Sequence, residues 1–149
     1  MKNPWILIFL YLTIPCLGFG CKKAGLDTQY VEGIVTVDGK PAKGVQLRFV
    51  PKDPGNTEEA SGVTDDSGMY KLTATTGLPE KGAVIGEYAV MASMLDMTPV
   101  GPQREGVEIL SYKELLPKAY LDKDSTPLSA SIKKGKNLEL NFAIETGQR

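Results

Sequence analysis

From Tyr30 onward the chain alternates between apolar and polar positions. Val31, Gly33, Val35 and Val37 fall on one face of a first strand, with Glu32, Thr36 and Asp38 on the other; Ile34 interrupts the polar side. A second strand places Val45, Leu47 and Phe49 inward and Gln46 and Arg48 outward. Between them, Asp38 to Gly44 (DGKPAKG) is a run of residues that tolerate or fix unusual backbone angles. A third strand is expected near Ala60–Thr64. Asp65-Asp66-Ser67-Gly68 follows as a tight turn, and Tyr70, Leu72 and Ala74 then face inward against Lys71 and Thr73. Tyr88–Met94 is apolar on both sides, the pattern of a central strand covered on two faces. Near the end, Leu128, Ala130 and Ile132 alternate, Lys134-Gly135-Lys136 turns the chain, and Leu138, Leu140, Phe142 and Ile144 alternate again, which predicts a closing hairpin.

Strands at this spacing predict an all-β domain, a single antiparallel β-sandwich of about seven strands, over residues 30–145. The stretch Leu95–Pro127 resists the pattern. It holds Pro99, Pro102, Pro117 and Pro127, and Glu105–Leu116 could form a short helix ending before Pro117. A segment this long in a compact domain is usually functional, because binding residues concentrate on loops held by a rigid scaffold. Arg104, Tyr112 and Tyr120 are its candidate partner-contacting residues.

The beginning of the chain differs in kind. After Met1-Lys2-Asn3, residues Pro4–Leu17 are almost wholly apolar, a length that suits the hydrophobic stretch of a signal peptide and falls short of the roughly 20 residues of a spanning helix. A buried strand or core helix and an uncleaved membrane anchor are the other readings of the run. It stops at Leu17-Gly18-Phe19-Gly20-Cys21, followed by Lys22-Lys23. This boundary resembles the lipobox of bacterial lipoproteins, in which a small residue precedes a cysteine that is acylated and becomes the new N-terminus. Gly20 fits that pattern; Gly18 and Phe19 depart from it. The resemblance implies a leader at 1–20, lipid attachment at Cys21 and a polar tether at 21–29, and so a lipid-anchored protein of the bacterial cell envelope, periplasmic or surface-exposed. The chain has 2 cysteines, Cys16 and Cys21. Cleavage before Cys21 discards one and acylates the other, so no free thiol remains in an oxidising compartment.

Composition narrows the chemistry. The 149 residues contain no histidine, which removes the commonest general base and metal ligand. The net charge of −1 gives no footprint for nucleic acid. Ser67 has no base near it in sequence. Asp65, Asp66, Asp122 and Asp124 could gather round a calcium ion, but without EF-hand spacing they read first as turn residues, and no metal site is assigned. Lys133, Lys134 and Lys136 read as a solvated turn protecting a strand edge, with contact to anionic lipid headgroups as the second reading.

Val31–Val45 (VEGIVTVDGKPAKGV) resembles the opening of carboxypeptidase regulatory-like domains, which share a transthyretin-like (prealbumin) sandwich. Gly62–Tyr70 is similar to the family's TDxxGxY turn, Gly86-Glu87-Tyr88 to its GxY approach to a later strand, and Leu116–Tyr120 to a segment before the last hairpin of small exported lipoproteins. The likeness covers about Val31 to Ile144. It implies a non-catalytic module for folding, adhesion or ligand contact, without cofactor, and supplies no catalytic residues. An envelope protein or a glycan is the partner expected, with a carbohydrate-binding accessory domain as the alternative function.

Overall fold

The computed structural model describes residues 27–56, 58–75, 82–97 and 112–147. The leader, Cys21 and Arg104 lie outside the described residues. The protein is an all-β sandwich. Its strands are β1 (Thr28–Gln29), β2 (Glu32–Val37), β3 (Lys40–Pro41), β4 (Gln46–Pro51), β5 (Ala60–Val63), β6 (Met69–Lys71), β7 (Thr73–Ala74), β8 (Ala83–Val84), β9 (Gly86–Ser93), β10 (Leu95–Asp96), β11 (Lys113–Glu114), β12 (Ser129–Ile132) and β13 (Phe142–Ile144). A single 3-10 turn, Lys118–Leu121, is the helical element among the described residues.

One sheet has the order β12-β9-β4-β5-β7. The facing sheet runs β13-β2-β3, with β6 also paired to β2. The inward alternation forms the core between them: Val31, Val35, Val45, Leu47, Phe49, Tyr70, Tyr88, Val90, Ile132 and Ile144 are all fully or almost fully buried. At its centre Phe49 meets Tyr70, Tyr88 and Phe142 at ring-centroid distances of 6.2, 6.1 and 5.9 Å, within the range of favourable aromatic pairs. The phenols find acceptors as they must when buried: Tyr70 donates to the Leu140 carbonyl at 2.7 Å and Tyr88 to that of Val84 at 2.8 Å.

The turn chemistry acts as its residues predict. Asp38 and Gly39 have φ of 49° and 78°, and Val37 pairs with Lys40, so β2 and β3 are joined by a two-residue turn with positive φ at both central residues. The Asp65 carboxylate accepts the N–H groups of Ser67 and Met69, at 2.8 and 3.0 Å, and the Ser67 hydroxyl at 2.7 Å. Gly68, at φ 75°, closes that turn where a Cβ would press on the Val35 carbonyl oxygen at 2.8 Å.

The structure departs from the expected pattern at several places. The closing hairpin is not a hairpin: β12 pairs antiparallel with β9 in one sheet, and β13 pairs parallel with β2 in the other. The turn at Lys133–Lys136 therefore arches between sheets, and among the described residues the pairing is antiparallel except along this side of β2, at the β13–β2 pair and the Val31–Asn137 bridge. Alternation shows which face of a strand is buried, but both sheets bury their faces in the same core, so an arch and a hairpin look alike in sequence. Leu138 is 51% exposed and Glu139 takes φ 62°, so regular pairing in the last strand is confined to Phe142–Ile144. The predicted strand Tyr70–Ala74 breaks at Leu72, where the chain passes from β2's partner β6 to β5's partner β7. In the stretch 95–127, Lys113–Glu114 is a strand paired with Leu95–Asp96 and a 3-10 turn follows Pro117; residues 105–111 of the candidate helix at Glu105–Leu116 lie outside the described residues. Folded structure also begins before residue 30: Thr28–Gln29 pair with β8, and Gln29 is buried.

The sandwich has two distinct ends. β2, β9 and β13 run from one to the other. At the first end lie β1, β8, the start of β9 and the 133–136 turn; at the second lie the Asp38-Gly39 turn, the β10–β11 pair and the 3-10 turn.

Candidate functional site

The outer face of the five-stranded sheet carries a concavity of about 530 Å³. Its floor follows from register. Arg48 on β4 lies between Met91 on β9 and Ser61 on β5; the neighbouring row sets Gln46 between Ser93 and Val63. These are the outward members of three adjacent strands whose inward members fill the core. Leu121, from the 3-10 turn, forms part of the rim. Arg48 donates from Nε to Glu59 Oε2 at 2.6 Å and from Nη2 to Oε1 at 3.0 Å, a two-pronged pair that fixes both side chains across the face. The paired charges raise the Arg48 pKa, the hydrogen bond with Glu59 contributing most.

At the second end of the sandwich, Glu114 on β11 ties the hairpin to β9. Its carboxylate accepts the Ser93 hydroxyl at 2.6 Å, the Met94 N–H at 2.9 Å and the Leu116 N–H at 3.0 Å. Burial by itself pushes this carboxyl upward. The bonds from Ser93, Met94, Leu116 and Leu115 together outweigh burial and hold it below the usual range. Leu116 is thereby seated in the core.

The candidate contact residues divide. Tyr112 stands beside β11 with 58% of its surface exposed. Tyr120 is half-buried, packs on the core and accepts the Glu145 N–H at 3.3 Å, so it pins the 3-10 turn to the sandwich. Tyr112 and Tyr120 both belong to the second end, the first exposed and the second packed against the core, and Arg104 and Cys21 lie outside the described residues. Asp65 is engaged in its turn, Asp66 pairs with Lys43, and Asp122 accepts the Asp124 N–H at 2.7 Å. Among the described residues no group of three or more metal-ligating side chains comes together. The hydroxyl of Ser67 is bonded to Asp65 within the turn.

The groove residues escaped the sequence reading. Gln46 and Arg48 read as outward, but only the order β9-β4-β5 makes them the middle of a face. Chemically the groove offers hydroxyl and amide groups, a fixed ion pair and short apolar patches, and no aromatic ring among the described residues lines it. Comparison with family models, with curated proteins and with solved structures finds no match for this chain.

Proposed function

We propose that the protein is a non-catalytic exported lipoprotein, a binding or structural module of the bacterial cell envelope, acylated at Cys21 and built on a transthyretin-like sandwich. One observation carries the binding part of this reading. The chain reaches the domain at one end, through β1, while exposed Tyr112 and the β10–β11 pair stand at the other. A domain tethered at its first end holds its second end away from the membrane, toward a partner. The lipobox resemblance at Gly20-Cys21 and the absence of histidine support the export and non-catalytic parts.

The carbohydrate reading is weaker. Sugar recognition favours exposed rings set together, and the exposed rings among the described residues, Tyr30 and Tyr112, stand at opposite ends, with none in the groove.

Because Asp96 faces Lys113 across the β10–β11 pair, residues 97–112 can be exchanged for a short Gly/Ser turn without moving either strand. Crosslinking of the full chain in its own envelope should capture partners that this variant loses while its thermal unfolding stays cooperative. Retention of the same partners refutes a second-end contact. Labelling with radioactive palmitate tests the anchor: label should enter the wild-type chain and be absent from Cys21→Ser. Equal label in both refutes acylation at Cys21.

A further inference from the structure

The first end of the sandwich combines three features that the binding reading does not use. The 133–136 turn presents Lys133, Lys134 and Lys136, all exposed. Exposed apolar residues surround it. Ile132 pairs with Gly86, so Ile85, 43% exposed, sits beside Lys133. Leu138 follows the turn at 51% exposure, and Tyr30 at 36% joins it through the Asn137 N–H, which donates to the Tyr30 carbonyl at 2.9 Å.

The turn is also built onto the point where the chain enters the domain. The Gly135 N–H donates to Gln29 Oε1 at 2.7 Å, and Gln29 is buried. Asn137 closes the turn, its Oδ1 accepting from the Lys133 N–H at 2.9 Å and its amide donating to the Lys133 carbonyl at 2.8 Å. These bonds hold the three lysines against β1, the first strand among the described residues.

From these contacts we infer that the first end is a membrane-facing surface, in which the lysine turn binds anionic lipid headgroups and Tyr30, Ile85 and Leu138 reach the interface. Covalent geometry sets the distance. Asp27 lies six positions after Cys21, a span of at most roughly 20 Å. A charged surface so close falls within a few screening lengths, and each lysine gains about fivefold in affinity for an anionic leaflet. Apolar side chains beside lysines suit the headgroup layer, where stems bury and ammonium groups stay wet. Carboxylates also lie near this end. Glu32 accepts the Tyr30 hydroxyl at 2.6 Å and stands opposite Lys71, and exposed Glu139 follows Leu138. Asp27 accepts the Gln29 amide at 2.9 Å. Glu87 lies opposite Ser131, short of the turn, and its carbonyl accepts the Lys52 N–H, which brings a lysine to the same place.

The inference rests on the reading that residues before β1 anchor the chain, but not on the chemistry of the anchor. An acylated Cys21 and an uncleaved apolar run both deliver the membrane to this end. The test is lysine footprinting of the full chain reconstituted in vesicles of phosphatidylcholine, with or without phosphatidylglycerol. Acetylation of Lys133, Lys134 and Lys136 should slow about fivefold in the anionic vesicles and recover in about 0.5 M salt, where screening shortens to roughly 4 Å. Lys43, at the second end, should react equally throughout. Protection of the three lysines without palmitate on Cys21 keeps this surface and removes the lipoprotein reading. Palmitate on Cys21 with equal lysine reactivity in both vesicles overturns the surface and keeps the lipoprotein.

Discussion

Phe142→Ala tests whether the last strand closes the core from the second sheet. Phe142 is 7% exposed and stands opposite Val35 in the parallel pair with β2. Its ring lies 5.9 Å from Phe49 in an edge-on contact and 6.1 Å from Tyr70 in a stacked one. Truncation removes the transfer energy of the ring and leaves a cavity, for which buried Phe→Ala changes cost about 3–5 kcal/mol. The upper half of that range is expected, because the walls cannot readily collapse. Tyr70 is held by its bond to the Leu140 carbonyl, and Phe49 by contacts with both tyrosines. Against a domain stability of about 5–15 kcal/mol, this is a large fraction. Urea unfolding followed by circular dichroism should show a lower midpoint with an unchanged slope. Glu139→Ala is the control: exposed and at φ 62°, it should shift stability by about 0.5 kcal/mol or less. A Phe142→Ala loss below about 1.5 kcal/mol, or one equal to that of Glu139→Ala, refutes the placement of β13.

Two further perturbations read other parts of the fold. A Cβ at Gly33 would collide with the carbonyl group of Leu140 and touch Tyr70; Gly33→Ala should therefore cost about 3 kcal/mol or more, and a near-neutral result by the same unfolding assay would show that the 138–141 segment does not lie against β2. Stability should also fall in acid. The Thr146 hydroxyl and N–H hold Asp38 below the ordinary 3.8, those of Ser67 with the Met69 N–H do so for Asp65, and the net effect of burial and hydrogen bonding leaves Glu114 below 4.5. Groups with depressed folded pKa values contribute fully above their unfolded values and lose that contribution as pH falls through the folded ones. The melting temperature should thus be level just above pH 4.5 with respect to these groups and drop below it, and Glu114→Gln should flatten part of the drop; an equally steep drop in that variant refutes the role given to Glu114.

The individual strands were legible because each local signal had one physical meaning. Phe49 and Tyr70 announced their faces by period two, and Asp38-Gly39 announced a turn that few other residues could make. What alternation could not carry was partnership. The arch at 133–136, the parallel β13–β2 pair and the exchange of sheets at Leu72 all leave the inward residues inward, so each satisfies the pattern that also predicts a simple hairpin or an unbroken strand. Leu138 shows where this inference fails: the alternation placed it inward, yet it is exposed, and the positive φ of Glu139 separates it from β13.

The same limit hid both surfaces of functional interest. The groove exists because β4 lies between β5 and β9, and neither neighbour is adjacent to it by a short connection on both sides. The basic turn adjoins β1 because β12 and β13 belong to different sheets. In a hairpin, the turn would have stayed with one sheet; as an arch, it crosses the end of the sandwich and meets Gln29. The polarity proposed for the molecule, with one end toward lipid and the other toward a partner, therefore depends on the topological feature that sequence periodicity could not distinguish.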